Sequence, residues 1–172
     1  MMAFEQNKPT IINEAVNGAR DISARRAATI SNMIDAAQQH GLNEDFAREA
    51  IRKYGEDNGR SMHAGMQNPD DFSEFAALFG SDHNREIFEM EVVNKTSDEL
   101  EIDFHYCPYV TEWVKQGRSP QEISRLCEIT MEGDHAFVHP FKQISFKLEG
   151  TIADGKRVCK LRFLHTKTAE PR

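Results

Sequence analysis

The chain has no apolar run approaching the length of a membrane span, and its opening stretch, MMAFEQNKPTI, lacks a charged segment followed by an apolar one. Neither a spanning helix nor a secretion signal is therefore expected. Basic residues are in deficit, with 21 Lys and Arg against 28 Asp and Glu, a net charge of -7 and a pI near 5.5. No basic stripe is available to neutralise phosphates, which argues against a nucleic-acid partner. Cysteine is scarce: three residues, an odd number at wide spacing, suit reduced thiols in a cytosol better than a disulfide framework. No internal repeat or low-complexity segment is visible. The expectation is a soluble, cytoplasmic protein with no membrane or nucleic-acid partner. Its 172 residues suffice for one domain, or one domain with an added arm.

What is present divides into two textures: an N-terminal helical segment over residues 1–85 and an α+β core over 86–166, expected to form one domain together. Residues 1–8 read as a loose tail. From Pro9 to His40 the period is helical, with Ile11, Ile12, Ala15, Val16 and Ala19 continued by Ile22, Ile30, Met33, Ile34 and Ala37. His40-Gly41 stops it. A second helix is expected over Glu44 to Tyr54, capped by Asn43, and Gly55 to Asn68 reads as a loop or broken helix. Pro69-Asp70-Asp71 opens a third through Phe72, Phe75, Ala76 and Phe79, closed by Gly80.

The period then changes to two. Phe88, Met90 and Val92 alternate with Glu89, Glu91 and Val93, and Leu100, Ile102 and Phe104 with Glu101, Asp103 and His105. The turn chemistry of Asn94 to Asp98 makes this a hairpin with one apolar face. Helical sequence follows from Pro108 to about Phe141, interrupted near Gly117-Arg118-Ser119-Pro120, where Ser119 and Glu122 form a capping box. Ile144, Phe146 and Leu148, then Cys159, Leu161 and Phe163, mark two further strands around the turn Ala153-Asp154-Gly155. The tail from Thr166 onward reads as frayed. The fold class is α+β: an antiparallel sheet of about four strands with helices packed on one face, preceded by the N-terminal helical segment.

Cys107 precedes Pro108, which is favoured in the first turn of a helix, so Cys107 reads as an N-cap with its sulfur at the positive end of a helix dipole. That position lowers a thiol's pKa and favours a nucleophile. Cys127 shares a helical stripe with Ile123, Leu126, Thr130 and Met131, and Asp134 follows seven residues later on nearly the same side. Cys159 shares its strand face with Leu161 and Phe163. The three thiols and one carboxyl are thus expected to face one cavity, with Phe72, Phe75 and Phe79 capping it. Plain packing is the competing explanation for each cysteine. The spacings match no zinc finger or ribbon. His105 lies on the polar strand face, and His135 and His139 flank an apolar pair.

The residues Tyr106-Cys107-Pro108, Ile123 through Leu126-Cys127, Met131-Glu132-Gly133-Asp134, and Thr151-Ile152-Ala153-Asp154-Gly155 followed by Cys159 and Arg162-Phe163 resemble the L-2-amino-thiazoline-4-carboxylic acid hydrolase family. The resemblance covers roughly Phe88 to Leu164. It implies hydrolytic opening of a small cyclic amidine or amide to an N-carbamoyl amino acid. Cys107, Cys127 and Asp134 are then the candidate catalytic residues, and Cys159, His105, His135 and Arg162 the candidate substrate contacts. The run His135 to Phe141 departs from the family pattern, which bears on the ring recognised. No cofactor is expected; the alternative is a divalent metal held by Cys107, Cys127 or Cys159 with Asp134. A second class of function also fits, a non-catalytic small-molecule or metal-binding sensor module using the same cysteines. The expected partner is a small-molecule substrate, and the generous apolar stripes of the N-terminal helices suggest a homo-oligomer.

Overall fold

The computed structural model describes residues 4–80 and 85–166. Among the described residues six helices and four strands follow one another as α1 (Glu14–Gln39), α2 (Asp45–Gly65), α3 (Phe72–Gly80), α4 (Arg85–Phe88), β1 (Met90–Lys95), β2 (Glu99–Phe104), α5 (Pro108–Lys115), α6 (Pro120–Phe137), β3 (Ile144–Leu148) and β4 (Cys159–His165). The strands pair antiparallel in the order β1-β2-β4-β3. Register puts Leu100 opposite Phe163, Ile102 opposite Leu161 and Phe104 opposite Cys159, so the apolar residues share one face. The opposite face carries Glu99, Glu101, Lys160 and Arg162. The α+β architecture anticipated from the change of period is the one observed. The frayed tail expected after Thr166 lies, from residue 167 on, outside the described residues.

The helices cover the apolar face in two pairs. Helix α1 runs along α5, and α2 runs along α6. Trp113 of α5 is 1% exposed and donates its indole N–H to the Ala27 carbonyl of α1 at 3.2 Å. Side chains at positions 16, 20, 27, 31 and 34 of α1 are buried. Two of these, Arg20 and Ser31, are polar, so the buried stripe is offset from the apolar one, and Ile12, Ile22 and Met33 stay exposed. The segment 55–68, expected as a loop or broken helix, continues α2 as far as Gly65. Two of its glycines face α6: a Cβ on Gly55 would fall 2.0 Å from the Gly133 carbonyl oxygen, and one on Gly59 2.0 Å from that of Phe137. Close backbone approach compensates for their poor helix propensity.

Of the expected loose tail, residues 1–8, the described part is tied down at Asn7. Asn7 is buried, and its side-chain amide donates to the Cys107 carbonyl at 2.9 Å and to Thr111 Oγ1 at 3.0 Å; its Oδ1 accepts the Cys107 N–H at 2.8 Å. Glu89, expected on a strand, has φ of 50° and precedes β1. Its buried carboxylate accepts from the N–H groups of Thr10 and Ile11, the Thr10 hydroxyl and Arg20. Burial alone would raise the pKa of Glu89, but these donors hold it below the usual carboxylate range. A polar network thus stitches residues 7–20 to the strand-helix corner.

Candidate functional site

Between the helix pairs and the sheet lies a cavity of about 270 Å³. Cys107, Cys127, Cys159 and Asp134 all line it. Each arrives by the periodicity of its own element. Cys107 is the N-cap of α5, with Pro108 in the first turn. Cys127, Thr130, Met131 and Asp134 succeed one another along one side of α6, the spacing of neighbours on a helix face. Cys159, Leu161 and Phe163 are alternate residues of β4. Of the three phenylalanines of α3, Phe79 lines the cavity, whereas Phe72 and Phe75 are buried in the core beside it. Arg26, Tyr54 and Asn58 are the exposed lining residues, which places the mouth between α1 and α2. Cys127 and Cys159 are buried deeper.

Burial governs the charge states. It pushes the Cys107 thiol up to about 11, against the opposing pull of the backbone N–H groups of Tyr109 and Val110. Desolvation outweighs these helix-start N–H groups, so the N-cap position does not yield a thiolate. The N-cap position is as expected, but the lowered thiol pKa is not observed. Burial raises Cys127 and Cys159 further, reinforced by the neighbouring Cys107 thiol. Cys159 Sγ also accepts the Ile152 N–H at 3.2 Å, which ties β4 to the short helical turn Ile152–Asp154. Burial pushes Tyr109 up to about 12, so its phenol is a neutral donor facing the cavity.

Among the described residues Asp134 is the one lining carboxyl. It is partly buried, and burial raises it to about 6 while Arg26 and its own N–H pull the other way. A carboxyl balanced near neutrality can both hold and release a proton. Among the described residues no group of three or more His, Cys, Asp or Glu is disposed to hold a metal ion.

Three expected substrate contacts sit elsewhere. His105 follows Phe104 and so turns to the opposite side, where its Nε2 lies 2.8 Å from Glu91 Oε2. Arg162, between Leu161 and Phe163, points to the outer sheet face and pairs with Glu99 and with Glu149. His135 is one residue past Asp134, about 100° around the helix, and packs edge-on against Phe146 at 5.0 Å. Alternation and helical phase both send a neighbour of a site residue away from the site. Missed by sequence reasoning were Arg26, Tyr54, Tyr109 and the Asn7 clamp. Arg26 stands four residues before Ile30, another lining residue, and that shared helix face is the signal that pointed to it.

These features define a class: an α+β protein with a largely apolar cavity between helices and sheet, bearing thiols and a carboxyl. The chain belongs to the L-2-amino-thiazoline-4-carboxylic acid hydrolase family, whose sequence model matches residues 22–163. No curated protein sequence matches it. Among solved structures it is similar to a trafficking protein particle complex subunit 3 from Naegleria fowleri, covalently bound to palmitic acid. That likeness has a TM-score of 0.55 and 13% identity, and covers 92% of this chain and 100% of the other. At that identity the likeness is one of fold.

Proposed function

We propose that the protein is a hydrolase that opens a small cyclic amidine of the thiazoline-carboxylate kind to an N-carbamoyl amino acid, with Cys107 as nucleophile and Asp134 as proton carrier. The observation that carries this reading is the meeting of Cys107 and Asp134 in one cavity of a chain that belongs to this family. An amidine carbon flanked by nitrogen and sulfur is electrophilic, the more so when the amidine is protonated. Cys107 Sγ bonds to that carbon of the protonated amidine as its own proton passes to Asp134. The ring carbon–sulfur bond breaks, releasing the substrate's sulfur as a thiol with a proton from Asp134. Water, deprotonated by Asp134, then attacks the same carbon, and Cys107 leaves with that proton returned by Asp134, while the amidinium proton is shed to solvent to give the carbamoyl product. One water is consumed and the enzyme returns to its starting state.

A neutral thiol suits this sequence when the proton leaves as the carbon–sulfur bond forms. A cationic amidine beside Cys107 supplies the charge that the helix start does not. Cys127 and Cys159, more deeply buried, line the floor. The test is turnover of 2-amino-thiazoline-4-carboxylate by the wild type and three serine variants. Cys107→Ser should lose several powers of ten in rate while remaining folded. Cys159→Ser should lose stability more than rate, and Cys127→Ser should fall between. Full activity in folded Cys107→Ser would move the nucleophile to water activated by Asp134.

A second reading, a binding module, is favoured by the apolar character of the lining around Cys107 and by the covalently held fatty acid of the similar structure. In that case Cys107 carries an acyl chain as a thioester. Intact mass before and after neutral hydroxylamine separates the two readings, since only a thioester is cleaved.

A further inference from the structure

Among the described residues Arg26 is the one cation lining the cavity. Its guanidinium carbon lies 4.2 Å from the centre of the Tyr54 ring. Elsewhere in the protein Arg48, Arg118 and Arg162 are each tied to carboxylates. Among the described residues Arg26 has no such partner. It is near enough to Asp134 to act on its charge, yet the two are not hydrogen-bonded. A guanidinium stacked on an aromatic face keeps its N–H fork free in its own plane, the geometry that grips a carboxylate with two parallel bonds. Position adds to this. Arg26 is exposed at the mouth, and Asp134 lies inside. A carboxylate is costly to strip of water, so it binds most cheaply at the wet end, while a ring sheds water readily against Phe79, Phe104 and Phe163.

We propose that Arg26, braced against Tyr54, receives the substrate's carboxylate at the mouth and so turns the reactive end of the ring inward to Cys107 and Asp134. The cavity is thereby specific for small rings that carry an anion at one end and a protonated amidine at the other. Arg26 faces the first and Asp134 the second. Arg26 is a binding and positioning residue, and reversal of the ring would put an anion beside Asp134. The inference rests on the hydrolase reading for the identity of its substrate, but it has a readout that needs no turnover.

That readout is the affinity for a saturated ring acid with no bond to hydrolyse, thiazolidine-4-carboxylate, against its carboxamide, by titration calorimetry. The wild type should bind the acid at least about 10-fold more tightly than the amide. Arg26→Gln should weaken the acid by about 10- to 100-fold and leave the amide unchanged, the loss expected for a charge-assisted contact. Arg26→Lys should recover part of the loss, and Tyr54→Leu should fall between Gln and wild type. Equal affinity for acid and amide in the wild type, or undiminished affinity for the acid in Arg26→Gln, overturns the assignment. Selective binding of the acid without hydrolysis of the thiazoline leaves the anion receptor standing and removes the hydrolase reading.

Discussion

At Asp134 the cost of charging a carboxyl inside an apolar cavity outweighs the attraction of Arg26, and the group titrates at about 6 rather than 3.8. The folded chain therefore holds this proton more tightly than the unfolded chain. Stability from that source is complete below about pH 4 and is lost as pH rises through about 6, a span worth at most about 3 kcal/mol. Asp134→Asn stays neutral throughout. In urea titrations it should match the wild type near about pH 4 and exceed it near about pH 8; a constant difference at both would show that Asp134 is not a charged group in an apolar site. The placement of Cys127 and Asp134 on one face was legible in the sequence, because a helix repeats faithfully over seven residues. The charge state of Cys107 was not. An N-cap can be read from one proline, but desolvation depends on everything else that closes around the sulfur.

Among the elements, α2 and α6 show how a weak sequence signal becomes a strong packing one. Gly55 and Gly59 look like helix breakers, and their segment reads as a loop until the partner helix is known. Their missing side chains let α6 approach, and Gly133, next to Asp134, lies at the contact. Gly55→Ala should destabilise the protein by about 1–3 kcal/mol through overpacking, despite the better helix propensity of alanine. Gly18→Ala, on α1 with nothing within 4 Å of the added methyl, should be neutral or stabilising by up to about 1 kcal/mol. Melting temperatures of the two variants check the contrast; equal shifts would show that α2 and α6 do not pack as described. The four strands were legible as alternating runs, since each has one face on the core and one in solvent. The strap at residues 7–11 was not: its hydrogen bonds go to groups far along the chain, and no local period reports them.

For the molecule as a whole, the boundary drawn from the change of texture near residue 85 separates two kinds of sequence, whereas the packing crosses it. Both long N-terminal helices lie on helices of the C-terminal half. Trp113, buried at the α1–α5 contact, reports on that packing, whereas far-UV circular dichroism reports on all the helices. The two unfolding curves should coincide in urea, as for one cooperative unit. An earlier fluorescence transition would show the N-terminal helices leaving a core that stands alone. Composition could not reveal this, because contacts between halves depend on which faces meet. The exposed Ile22 and Met33 of α1 remain the surface on which a second copy of the chain is expected.

The Asn7 clamp carries a consequence for the timing of synthesis. Asn7 is translated before its partner Cys107, which follows 100 residues later. The clamp therefore cannot close until Cys107 has been made, and the segment around Asn7 waits for that partner. A contact of such sequence separation closes a long loop, so the corner that presents the thiol is expected to be fixed late in folding.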